Sequence, residues 1–144
     1  MNDILTHFVN EIIKTETVFC LEDKNGIAFS ESVLFQDDNG QGVPVICFWS
    51  TRELAKESCV DAWASYTINE MCLTTFIEDW LVQIYNDSLI VGLNFNQEML
   101  GLECDPLDLI LEITKVLKLE KRDLEFEHFK NIADVEKQIS ALIG

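Results

Sequence analysis

Positive charge is scarce in this chain. Its 144 residues carry 10 Lys and Arg against 26 Asp and Glu, a net charge of −16. Nucleic acids are captured chiefly by Lys and Arg that displace counterions from phosphates, so this balance argues against direct DNA or RNA binding. It disfavours an anionic membrane surface for the same reason. Histidine is scarcer still: His7 and His128 are the only two, and neither belongs to a ligand-spaced cluster, so no zinc site or other metal centre is expected. The five cysteines, Cys20, Cys47, Cys59, Cys72 and Cys104, are odd in number and contain no C-x-x-C pair. That pattern points to reduced thiols acting as small hydrophobes rather than to a secreted disulfide framework. No apolar run reaches bilayer length, and residues 1–7 hold neither a basic segment nor a small-residue cleavage site, so the cytoplasm is the expected compartment. Neither a P-loop nor a G-x-G-x-x-G motif is present, and no cofactor is expected.

What is abundant is apolar surface. Hydrophobic residues make up 48% of the chain, which excludes a disordered tail protein. A chain of this length forms one domain, here residues 1–144, and buries roughly 68–70% of its unfolded surface without a metal or disulfide staple. Ile4, Leu5, Phe8, Val9, Ile12 and Ile13 recur at helical spacing and predict an amphipathic helix over 2–15. Alternating segments at 17–22 and 27–35 flank Asn25-Gly26, a dipeptide suited to the positive φ of a tight hairpin turn. Residues 37–42 are too polar and glycine-rich for anything but a loop. Residues 43–49 are apolar on both alternating faces, Val45, Cys47 and Trp49 on one and Ile46 and Phe48 on the other. This marks a central strand covered on both sides.

Ser50 and Glu53 fit a capping box opening a helix from Thr51 to about Ser58, and Trp63 to Ile68 alternates like a strand. Thr75 and Glu78 fit a second capping box, opening a helix with Phe76, Ile77, Trp80, Leu81 and Ile84 buried and Asp87-Ser88 as its break. Residues 89–95 and 99–104 read as an antiparallel hairpin. Asp105 before Pro106 signals a helix start, with Leu109, Ile110, Ile113, Val116 and Leu117 as its inner stripe. A last short helix is expected over 133–142, with Val135, Ile139 and Leu142 apolar. Hairpins outnumber βαβ units, so the expected fold class is α+β: one mostly antiparallel sheet with helices packed on it.

The acidity is concentrated. From Glu57 to Thr114 there is no Lys or Arg, while that window holds eleven Asp and Glu. Clustered like charge costs stability but speeds encounter with a cationic partner. As catalytic pairs these acids are poor candidates: Glu78 and Asp79 are expected on the outer helix face, Glu103 away from the core, and Asp105 and Asp108 in capping and helix-dipole roles. No histidine is placed by sequence beside a nucleophile. The chain therefore reads as a binding protein rather than an enzyme.

Phe48-Trp49-Ser50, Arg52-Glu53-Leu54-Ala55, Trp63, Tyr66-x-Ile68, Phe76-x-Glu78-x-Trp80-Leu81, Asp87, Val91-Gly92-x-Asn94-Phe95, Gly101-x-Glu103 and Pro106 follow in that order. Over residues 45–110 this resembles the bacterial proteins grouped as domain of unknown function 2750, from which no chemistry transfers. In type, being small, acidic and α+β, the chain is similar to immunity proteins of bacterial toxin systems, including contact-dependent growth inhibition. That similarity implies a protein partner with a basic surface, a toxin domain covered at its active site. The expected partner-binding residues are Glu78, Asp79, Asp87, Glu98, Glu103, Asp105 and Asp108. Two alternatives stay open: a small-ligand pocket lined by Trp49, Trp63 and Tyr66, and an acidic nucleic-acid mimic that inhibits another protein.

Overall fold

A computed structural model describes residues 3–36 and 38–143. Asn2 and Asp37, which the sequence places in the first helix and the polar loop, lie outside them. The elements run α1 (Asp3–Thr15), β1 (Thr17–Asp23), β2 (Gly26–Ile27), β3 (Phe29–Gln36), β4 (Gly42–Phe48), α2 (Arg52–Glu57) and β5 (Thr67–Cys72). Then follow α3 (residues 73–86), β6 (Ile90–Leu93), β7 (Leu102–Cys104), α4 (Pro106–Leu119) and α5 (Ile132–Ile143). The class is α+β, as expected.

The strands divide into two sheets where the sequence suggests one. An antiparallel three-stranded sheet has the order β2-β1-β5, and a four-stranded sheet has the order β3-β4-β6-β7. The segment read as one strand over 27–35 changes sheets at Ala28. Its N–H donates to Leu21 of β1 (2.8 Å) and its carbonyl accepts from Cys47 of β4 (3.3 Å). Phe19 and Trp49 exchange two further backbone bonds (2.9 and 2.8 Å) that join the sheets. All pairings are antiparallel except β4 with β6, which run parallel because a long crossover through α2, β5 and α3 connects them.

β4 lies between β3 and β6, as its two apolar faces require. Ile46 and Phe48 join the larger core, where α1, α3, α4 and α5 supply Phe8, Ile12, Phe76, Ile110, Ile113 and Val135. Val45, Cys47 and Trp49 join a smaller cluster on the other side with Ala55, Trp63, Ile90 and Phe95. Phe48 meets Phe76 edge-on at 4.8 Å, and Trp49 meets Trp63 edge-on at 5.6 Å.

Local signals were shifted rather than absent. Thr51, not Ser50, caps α2, accepting from the Leu54 N–H at 3.2 Å. Trp63 ends a short 3-10 turn (Asp61–Trp63), so the strand expected from 63 begins at Thr67 and runs to Cys72. α3 begins at Leu73, before the expected capping box; Thr75 makes no side-chain cap, and residues Phe76–Leu81 wind as a π-helix. Asp105 caps α4 as expected, accepting from Leu107 and Asp108 N–H at 2.8 and 3.3 Å. Leu142, expected on the apolar side of the last helix, is half exposed.

Candidate partner-binding surface

The β6–β7 hairpin positions the acidic residues. Val91 pairs with Cys104 and Leu93 with Leu102, so the chain enters β6 at the same end of the sheet where it leaves β7. Asp87, which ends α3 and accepts from the Gln83 side chain at 3.0 Å, sits before that entry. Asp105, at the head of α4, sits after that exit. Asp108 and Glu112 follow along α4 at i,i+4 spacing, which places them on one helix face.

The titration behaviour of this end reports its field. Burial and then the Asp105 charge hold the Asp108 carboxyl above the usual carboxylate value. Burial pushes the Cys104 thiol up to about 12, with Asp108, Asp105 and Glu112 adding to it in that order. Three acids thus act on the one thiol, and Asp105 also acts on Asp108. Glu103 accepts a hydrogen bond from the Ser32 hydroxyl of β3. Its charge is the second cause, after burial, of the raised Cys47 thiol. Two cations of the C-terminal part bond elsewhere: Lys118 to Glu136 (3.0 Å) and Arg122 to Glu16 (2.7 Å). Asp87, Asp105 and Asp108 take part in none of the described ion pairs.

The remaining expected contacts lie apart. Glu98 is in the turn at the opposite end of the hairpin, its N–H donating to the Asn96 side chain at 2.8 Å. Asp79 is exposed on α3, eight residues or about 12 Å of helix from Asp87, and lies 3.9 Å from His128. Glu78 is not on the outer face at all. It is 9% exposed, and its carboxylate accepts from the backbone N–H of His128 (2.7 Å) and Glu127 (3.1 Å). The wider π turn alters which residues share a face, and Glu78 is turned onto the C-terminal segment. Glu78 is turned inward and Glu103 reaches Ser32 of β3 across the sheet, while Asp87, Asp105 and Asp108 lie at one end of it. Glu112 belongs with them and was not singled out from sequence; its i,i+4 relation to Asp108 was the available signal.

Of the aromatic residues expected to line a ligand pocket, Trp49 and Trp63 pack into the smaller core. Trp49 is fully buried, and its indole N–H donates to the Phe95 carbonyl at 2.8 Å. The Ser58 hydroxyl donates to the same carbonyl at 2.6 Å, and Trp63 closes the cluster edge-on. Among the described residues, no group of three or more His, Cys, Asp or Glu is placed to hold a metal ion. None of the described helices is long and apolar enough to cross a membrane.

A family model described as Protein of unknown function (DUF2750) matches residues 5–113. The match takes in α1 and the first hairpin, beyond the 45–110 stretch on which the resemblance rested, and stops within α4. No curated protein and no solved structure matches the chain.

Proposed function

Because the chain belongs to the DUF2750 family, whose description assigns no activity, we propose its function from charge and geometry: an acidic protein-binding inhibitor, of the immunity-protein type. Its partner is a toxin domain with a basic, nucleic-acid-binding cleft, which it covers. The observation that carries this reading is the stretch from Glu57 to Thr114, eleven acids and no Lys or Arg, within which Asp105 adds to burial in raising the Asp108 carboxyl. Two like charges about 4 Å apart repel by about 1 kcal/mol in water and about 4 kcal/mol near a protein surface. Lys and Arg of a partner would relieve that repulsion on docking, and the outward field would steer the encounter. Asp87 lies at the same end of the sheet, and a cationic cleft is complementary to it in charge.

The test is co-expression with the toxin domain encoded immediately upstream. Growth should be protected by the native chain and lost with the triple charge reversal D87K/D108K/E112K, while the variant stays folded by circular dichroism. Death of cells despite the native chain, or protection undiminished by the triple reversal, overturns the reading.

A further inference from the structure

We propose that the free edge of β5 (Thr67–Cys72) takes up a basic, extended segment of a partner protein as a fourth strand. β5 is the last strand of the sheet β2-β1-β5, and no described strand lies beyond it. Which of its backbone groups face outward follows from the bonds of β1. Phe19 of β1 donates its N–H to the Trp49 carbonyl (2.9 Å) and accepts from the Trp49 N–H (2.8 Å), so neither group is left for Glu70, its partner in β5. Antiparallel pairing then turns the Glu70 N–H and C=O away from β1, and those of Ile68, two residues earlier, with them. Among the described residues, none bonds to these outward groups.

Open edges are normally blunted by proline, lysine or a bulge. β5 has neither proline nor lysine, and it pairs with β1 over six residues without a break in register. Thr67, Asn69, Glu70 and Cys72 are exposed, so both faces of the strand are open to solvent. The edge is long and straight enough to template another chain, and nothing in its own sequence prevents this.

The surroundings select a cationic occupant. A hollow lies beside each face of β5, as the alternating side chains of an added strand require. One, of about 580 Å³, is lined by Thr67 and Asn69 with Glu22, Asp23 and Lys24. The other, of about 330 Å³, is lined by Phe19 and Glu70 with Arg52 and Glu53. Two carboxylates against one cation leave each hollow negative. Arg52 stands 3.6 Å from Glu70 with both side chains more than half exposed, a weak pairing that an incoming Lys or Arg exchanges readily. The whole strand falls in the stretch from Glu57 to Thr114 that holds no Lys or Arg. A second copy of the chain, itself at −16, brings the wrong sign. β5 and the β6–β7 hairpin belong to different sheets, so the inference stands apart from the function proposed for the acidic end.

Titration of the ¹⁵N-labelled full chain with an alternating Lys-Val octapeptide, acetylated and amidated, tests this. Saturable shifts are expected at the amides of Ile68 and Glu70, with slowed hydrogen exchange at both. The same peptide N-methylated at alternate residues keeps its charge but cannot pair, and should bind about tenfold more weakly or worse. An alternating Glu-Val octapeptide keeps the strand propensity with the opposite charge and should not bind. Glu70→Pro removes an outward N–H and spares the bonds to β1, as edge strands allow, and should weaken the Lys-Val peptide about tenfold. If that variant misfolds, the methylated peptide decides alone. Absence of shifts at millimolar Lys-Val peptide, equal binding of the methylated or the Glu-Val peptide, or affinity unchanged in folded Glu70→Pro overturns the inference. So do shifts at Ile68 and Glu70 that grow with protein concentration alone, the mark of a second copy.

Discussion

Burial and local polarity give the five cysteines different chemistry. Cys20 and Cys104 are each pushed up to about 12, both chiefly by burial, and Cys47 is raised further. Cys72 is exposed at the head of α3, with the Thr75 and Thr74 hydroxyls 3.1 and 3.3 Å from its sulfur, and these contacts lower its pKa. Because the thiolate is the nucleophile, iodoacetamide at neutral pH should modify Cys72 first, and peptide mass spectrometry should find the other four slower. Glu78 is the other residue whose role depends on its surroundings. Glu78→Gln leaves one carbonyl oxygen for two backbone donors and turns an NH₂ toward them. A loss of about 1–3 kcal/mol is expected in urea unfolding, whereas Asp79→Ala, a few ångströms from an exposed histidine, should stay within about 0.5 kcal/mol.

At the scale of elements, β6 is held tight by Gly92. A Cβ there would stand 2.8 Å from Val45 Cγ1 and 2.9 Å from the Phe95 ring. Gly92→Val should therefore cost about 1–3 kcal/mol by overcrowding the smaller core, measurable as a lower denaturant midpoint. β4 was legible in the sequence because burial on both faces writes an unbroken apolar run. The cap of α4 was legible because Asp-Pro satisfies two helix-start rules together. β5 was not: its residues are exposed or half-buried, so no two-residue alternation survives, and Trp63 before it imitates one. The inward turn of Glu78 was hidden for another reason. Reading a 3.6-residue period through Phe76–Leu81 assumes an α-helix where the chain winds as a π-helix. Of the seven acids expected on the binding surface, Asp87, Asp105 and Asp108 lie at one end of the sheet because the β6–β7 register brings the two ends of that hairpin together, and register is not a local property of sequence.

For the whole molecule, the gathered acids set a dependence on pH. The Asp108 carboxyl is raised in the fold, first by burial and second by Asp105. A raised acid binds its proton more tightly folded than unfolded, so stability falls as pH rises through the interval between its usual and raised values. The deficit persists above that interval and disappears below it. Asp108→Asn should accordingly raise the melting temperature at neutral pH, with the gain vanishing once the solution is more acidic than the usual carboxylate range. The same substitution should slow association with a cationic partner. The edge-on pair of Trp49 and Trp63, sealed beneath Phe95, has an optical consequence. Two coupled indoles in a dry setting supply a native near-ultraviolet dichroism signal and blue-shifted emission. Loosening of the side of the fold that carries α2 is therefore visible without any label, in a variant that lacks Trp80 of α3, which packs edge-on to Phe48 in the larger core.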